Sequence, residues 1–203
     1  MQSGQTVLVH GASGGVGLIL VQLAHHAGLR VIGTGSPRNH DLLRQLGTHP
    51  IDYRDPELVA KVRTLAPDGV HAVFDNIGGE SFPRSFAQLA SGGTLVGYGT
   101  ASQLTDTNNM VATFLGVLTR FAWWSAQPNH GRSATFYDFW AGKISRPRRF
   151  RTTMAADLTQ VLALVTAGDI TVRIADRIPL TEAAPALQLA GSGTTSGKVV
   201  LLP

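Results

Sequence analysis

The chain has 203 residues, 43% of them hydrophobic and 15% charged, with a formal net charge of +4 and no cysteine. That length and balance suit one α/β domain with an appendage. The composition excludes disulfides and thiolate metal sites, the seven histidines show no metal-ligand spacing, and no run reaches the ~18 to 20 apolar residues of a membrane span.

The opening Met1 to Gly4 has neither the basic region nor the apolar core of a signal peptide, so a cytoplasmic location and no membrane association are expected. Val7 to Val9 then predicts a buried strand. The helix after it places Gln22, His25 and His26 on a polar side and Val16, Leu20, Leu23 and Ala27 opposite. Arg30 to Thr34 predicts a second strand, and a helix with Leu42, Leu43 and Leu46 ends at Gly47. "PIDY" is a short third strand. The helix after Asp55 and Pro56 turns Leu58, Val59, Val62 and Leu65 inward.

Val70 to Asp75 is a fourth strand, "GGESFPRSFAQLA" a helix with Pro83 in its first turn, and "GGTLVGYG" a fifth strand. Asn108 to Trp124 reads as a largely apolar helix, Arg132 to Trp140 as a sixth strand, and Met154 to Ala167 as a helix carrying Leu158, Val161, Leu162 and Val165. The tail holds "TVRIADRIPL", a short helix from Thr181 to Ala190, and a last strand "GKVVLLP". Repeated βα units predict a doubly wound parallel sheet, the Rossmann fold, joined by right-handed crossovers.

The chemistry is concentrated in "HGASGGVG", His10 to Gly17. A strand, a glycine-rich turn and a helix in that order suit a pyrophosphate, because glycines let the backbone approach it and the helix N-terminus supplies free N–H groups. Gly11, Gly15 and Gly17 fit the GxxxGxG spacing of short-chain dehydrogenases; Gly11, Gly14 and Gly17 fit the GxxGxxG of medium-chain ones. A short-chain enzyme needs Tyr-x-x-x-Lys, and Tyr53, Tyr98 and Tyr137 are followed at the fourth place by Glu57, Ser102 and Ala141. The second strand runs into "GTGSPRN" with no acidic residue before Asp41. Ser36 and Arg38 therefore suit a ribose 2′-phosphate, and NADP(H) is preferred to NAD(H). Arg38 also opens a helix, where the helix dipole disfavours a cation, which favours the phosphate role.

The only dense basic cluster is Arg146 to Arg151, "RPRRFR". It lacks the aromatic interleaving of a single-strand binder and reads as a solvated face, so no nucleic-acid partner is expected.

"GQTVLVHGASGGVGLILVQLAHHAGLRVIGT", "LLRQLGTHPIDYRD", "VFDNIGGESF", "LASGGTLVGYGTAS" and "GKVVLLP" together resemble the zinc-independent quinone oxidoreductase branch of the medium-chain dehydrogenase/reductase superfamily. The likeness runs through nearly the whole chain in order, and is weakest over Asn108 to Arg151. It implies no metal site, a pyrophosphate held by Gly14, Gly15, Val16 and Gly17 beside Ser13, and Tyr53 near the adenosine 2′-phosphate. It also implies that the turns containing Asn76 and Gly97 to Gly99 line the ribose and nicotinamide. Many relatives carry a lysine for the 2′-phosphate where this chain has Asn39, which leaves Arg38 as its substitute.

The resemblance further implies an NADPH-dependent oxidoreductase passing hydride to a small-molecule quinone or conjugated carbonyl (enone), seen in a truncated form. On this resemblance the chain would start where the family's N-terminal GroES-like domain hands over to the nucleotide-binding domain. Residues 1–169 would be the NADP(H)-binding domain and 170–203 a segment that normally belongs to the catalytic domain. Phe121, Trp123 and Trp124 are then candidates for apolar surface that the other domain would cover. A homodimer through the edge strand "ATFYDFW" is expected. No residue presents itself as an acid or base, and Asp75 reads as a turn-forming aspartate. The alternative is an NADPH-binding module without catalysis of its own, needing a partner chain or domain.

Overall fold

The computed structural model describes residues 1–99, 110–128 and 131–203. The elements are β1 (Thr6–Val9), α1 (Gly17–His26), β2 (Arg30–Gly35), α2 (His40–Gln45), β3 (His49–Asp52), α3 (Leu58–Leu65), β4 (Val70–Asp75) and α4 (Ser81–Ala87). They continue with β5 (Leu89–Gly97), α5 (Met110–Ala126), β6 (Ser133–Phe136), α6 (Pro147–Ala167), β7 (Ile174–Pro179), α7 (Ala183–Gly191) and β8 (Lys198–Leu202).

Six strands form one sheet in the order β3-β2-β1-β4-β5-β6, and every neighbouring pair is parallel. This is the doubly wound order expected from the alternating pattern, with its switch point between β1 and β4. The strands are apolar on both sides because both faces are covered. Leu8, Ile32 and Val73 pack with Val62 of α3, Phe82 of α4 and Phe121 of α5. Val7, Val9 and Val31 pack with Leu18, Val21 and Ala24 of α1 and with Leu43 of α2. β7 and β8 make a separate parallel pair.

Several boundaries and faces differ from the sequence pattern. The buried stripe of α1 is Leu18, Val21 and Ala24, while Val16 is 58% exposed and Ala27 is exposed. The stripe lies one residue off the expected one because Leu18 and Val21 meet the sheet at β1 and β2. In α3, Val62 is buried but Val59 turns outward. α4 stops at Ala87, since Leu89 and Ala90 are drawn into β5; Val70 N–H donates to Gln88 O at 3.0 Å, and the ladder shifts register after Val70.

β6 ends at Phe136, four residues earlier than expected, where Asp138 Oδ1 accepts the Trp140 N–H and turns the chain. α6 starts at Pro147, a favoured first helical position, so Arg148, Arg149 and Arg151 lie inside it rather than before it. Its Leu158 and Leu162 are exposed. Residues 108 and 109 of the expected fifth helix lie outside the described residues. Of the three aromatics picked as candidate surface, Phe121 is buried, Trp124 stacks on Phe86, and Trp123 is 65% exposed.

Candidate functional site

The site candidates gather at the carboxyl end of the sheet, where the chain leaves β1, β4 and β5. Gly11 takes φ +64, a left-handed turn that lets its N–H donate to Thr34 Oγ1 at 3.2 Å. Gly14 N–H returns to Gly11 O at 3.0 Å and Leu18 N–H to Gly14 O at 2.9 Å, so the loop closes directly into α1. A side chain at Gly17 would collide with Gly11 O and stand 2.8 Å from the Ala12 backbone. The loop needs glycine there for close packing. α1 starts on Val16 with no side-chain cap and no acidic residue in its first turn. Its positive end is therefore left for an anion from outside.

Beside this loop, Asn76 Oδ1 is buried with no hydrogen-bond partner, 3.1 Å from where a Cβ on Gly11 would lie. A buried acceptor without a donor is costly inside the protein alone and suits a ligand hydroxyl. Gly99 brings the turn after β5 against the turn after β4: a Cβ there would lie 3.0 Å from Asn76 O. At Gly97 the same space is filled by Phe82 and Phe121 at 3.0 and 3.2 Å, and its carbonyl accepts Tyr137 N–H at 2.7 Å. This glycine is required for core packing whatever else it borders.

The β2 side is tied to the glycine loop. Asn39 Nδ2 donates to Ser13 Oγ at 3.0 Å, and Asn39 N–H caps back to Ser36 O at 2.8 Å. Ser36 is half-buried, whereas Arg38 is exposed and its Nη2 donates to Gly193 O. Tyr53 follows β3, 47% exposed, with the Arg54 guanidinium 5.0 Å from its ring centre. It borders a cavity of about 620 Å³ with His10, Ile77 and Gly78. A second cavity of about 420 Å³, almost entirely apolar, lies against α1 and is lined by Val16, Leu20, Phe74, Val96 and Tyr98.

Beneath the loops runs a buried polar chain that local sequence does not reveal. Asp75 is fully buried and accepts Ile77 N–H at 2.8 Å, Gly78 N–H at 3.2 Å, and the Ser81 and Ser85 hydroxyls at 2.7 Å each. Because Ser85 spends its proton on Asp75, its Oγ accepts from His10 Nε2, 3.1 Å away. His10 Nδ1 then accepts from Thr34 Oγ1 at 3.2 Å. Only the neutral Nε2–H tautomer satisfies every member of the chain. Burial pushes the His10 imidazole below its ordinary pKa, and nearby Asp75 opposes the shift. Tyr98 donates to His10 O at 3.3 Å; burial, assisted by Asp75, pushes its phenol up to about 12, so it stays protonated. Four elements contribute to this network, which is why no spacing motif marks it.

Among the described residues no three His, Asp or Glu side chains gather as a metal site. No helix among them is long and apolar enough to cross a membrane.

Residues 46–201 match the zinc-binding dehydrogenase family. The chain is 31% identical to the rat (Rattus norvegicus) synaptic vesicle membrane protein VAT-1 homolog, over 100% of this chain and 50% of that protein. It is 33% identical to a quinone oxidoreductase of Pseudomonas aeruginosa, over 100% of this chain and 58% of the relative. The Escherichia coli quinone oxidoreductase solved in complex with NADPH superimposes with a TM-score of 0.76 at 27% identity, over 100% of this chain and 58% of that one. The chain thus spans about half the length of the curated relatives it matches.

Proposed function

Because the chain belongs to the zinc-binding dehydrogenase family, in the zinc-independent quinone oxidoreductase branch of the medium-chain superfamily, we propose that it is the NADP(H)-binding part of a cytoplasmic reductase of quinones or conjugated carbonyls. The observation that carries this reading is the uncapped α1 start beneath an unpartnered, buried Asn76 Oδ1. Together they offer an anion site and a hydroxyl site a short step apart on one rim of the sheet.

In this reading Ser13 and the backbone of Gly14, Gly15, Val16 and Gly17 hold the pyrophosphate by N–H groups and the helix dipole. Ser36 and Arg38 take the 2′-phosphate, Tyr53 covers the adenosine, and Asn76 bonds a ribose hydroxyl. Gly97 and Gly99 bring the β5 end close enough to line the nicotinamide half. Bound NADPH would supply the hydride. The protein's share is orientation: Asp75 fixes the β4 turn through its four donors, and the His10 chain ties that turn to the glycine loop. Tyr98 keeps its proton at neutral pH, which makes it a wall of the site rather than a proton source.

Residues 170–203 act in this reading as the segment of the catalytic domain that returns to the cofactor domain, and the exposed edge of β6 as the seam of a homodimer. Titrating NADPH against nicotinamide fluorescence, then following its oxidation with a panel of quinones and enones, tests the proposal. Micromolar binding with turnover is expected. Binding without turnover leaves the binding-module reading, in which catalysis requires a separate chain or domain, and no binding up to millimolar NADPH overturns both.

A further inference from the structure

We propose that the cavity between the turn after β6 and the first half of α6 binds a long-chain carboxylate, its alkyl chain along α6 and its head on Arg146 and Arg149. The cavity measures about 770 Å³, within the range of about 300 to 1,000 Å³ usual for small-molecule sites. Its helical wall is Phe150, Met154, Leu158 and Val161, one stripe of α6, and Tyr137 and Phe139 line it from the turn. The stripe runs for about 16 Å along the helix, a shape that suits an extended alkyl chain better than a compact ring. The protein leaves it without cover. None of the 21 residues of α6 is buried, and Leu158, Tyr137 and Phe139 are all exposed.

The wall is held by its own contacts. Tyr137 N–H donates to Gly97 O at 2.7 Å, Phe139 meets Trp140 edge-on with ring centres 4.9 Å apart, and Trp140 stacks on Phe150 at 6.3 Å, which ties the turn to the helix. Gly142 takes φ +81 and its carbonyl accepts Arg146 N–H at 2.8 Å, so the chain enters α6 with Arg146 and Arg149 on the cavity. Neither guanidinium has a carboxylate within ion-pair distance among the described residues. Two carboxylates line the same cavity without neutralising them: Asp138 Oδ1 accepts the Trp140 N–H, and Asp157 stands about two helical turns beyond Arg149. The α6 start adds charge of the same sign, having no side-chain cap and no acidic residue in its first turn. Exposed arginines are satisfied by water; what singles out these two is their place at one end of an uncovered apolar lane. A long-chain carboxylate answers both features, because its chain covers the stripe and its head accepts guanidinium N–H groups.

The test uses cis-parinaric acid, a fluorescent straight-chain carboxylate, titrated into the full chain below its critical micelle concentration. No dinucleotide is present, so the outcome does not depend on the NADPH reading. Saturable one-to-one binding in the micromolar range is expected, with palmitate displacing the probe about tenfold more strongly than hexadecanol, which has the same chain without the charge. Arg146→Gln with Arg149→Gln removes that difference, whereas Arg148→Gln with Arg151→Gln, an equal loss of charge outside the cavity, leaves it. Met154→Trp fills the lane and weakens both competitors, and matching circular dichroism spectra establish that the variants are folded. Equal displacement by palmitate and hexadecanol, or equal effects of the two double variants, overturns the assignment. So does binding to phosphatidylglycerol vesicles with none of the dispersed probe, which makes the arginine cluster a membrane-facing patch. Absence of probe binding overturns it as well; if Met154→Glu then turns a dimer into a monomer, a second copy of the chain is what covers the stripe.

Discussion

Ser85 donates its hydroxyl proton to Asp75 Oδ2 at 2.7 Å and so presents a lone pair to the ring of His10, 3.1 Å away. One hydroxyl thus serves two groups that have no other way to meet. Ser85→Ala removes a donor from a fully buried carboxylate and leaves His10 Nε2–H without an acceptor, so a loss of about 2 to 4 kcal/mol in urea unfolding is expected. Ser81→Ala takes only one donor from Asp75, at a half-buried position that water can reach, and is expected to cost about 1 kcal/mol. Equal losses would show that His10 does not depend on Ser85.

The same chain predicts a pH dependence. Burial holds the folded-state pKa of His10 below the unfolded value, so the unfolded chain takes up a proton that the folded one refuses. Stability is then full above the unfolded pKa of about 6.5 and falls as the pH drops toward the folded value, by at most about 1.4 kcal/mol per pH unit. Urea midpoints measured from pH 7.5 to 5 should show the decline. His10→Gln, which keeps hydrogen-bonding capacity without titrating, should flatten it; a slope unchanged in that variant would assign the decline to another group.

The part of this structure written locally was legible in the residues. Val7 to Gly17 could be taken as strand, loop and helix because a buried parallel strand and a helix-starting glycine turn each have a short-range pattern, and Val70 to Asp75 was readable for the same reason. What could not be read is what converges from afar. His10 directly follows β1, Thr34, Asp75 and Ser85 come from β2, β4 and α4, and their spacing carries no period. The buried face of α1 lies one residue from the one the pattern predicts because Val16 and Leu20 are as apolar as Leu18 and Val21; only contact with the sheet decides which stripe is buried. Lys198 reads only as part of the tail strand "GKVVLLP", and its place beside Gly15 comes from a contact between distant parts of the chain, next to the bridge of Gly197 to Gly14.

The two loop glycines separate packing from chain freedom. Neither Gly14 nor Gly17 has positive φ, so alanine at either position meets no backbone strain and any cost is steric. At Gly14 the nearest atom to a new Cβ is Gly11 O at 3.3 Å, a contact relieved by small shifts. At Gly17 the Cβ overlaps Gly11 O and lies 2.8 Å from both Ala12 Cα and its carbonyl carbon. Gly14→Ala is expected to stay within about 1 kcal/mol of the parent, and Gly17→Ala to lose about 3 kcal/mol or more. Thermal melts compare them, and similar melts would mean that the loop is looser than its contacts imply.

Arg38 offers the sharpest test of cofactor preference. Its guanidinium is exposed and held by the Gly193 carbonyl, next to the turn in which Ser36 and Asn39 face the glycine loop. Reversing the charge with Arg38→Glu places a carboxylate where the 2′-phosphate of NADPH is proposed to sit, while NADH has only a hydroxyl there, which a carboxylate accepts from readily. The lost attraction and new repulsion act together on one ligand and on neither end of the other. NADPH affinity is therefore expected to fall about a hundredfold, corresponding to about 2.7 kcal/mol, with NADH changed less than about threefold. The ratio of the two dissociation constants is the quantity to measure, because damage to the fold lowers both affinities and leaves the ratio alone. A constant ratio would remove Arg38 from the phosphate pocket and leave its contact with Gly193 as a tether for the C-terminal segment.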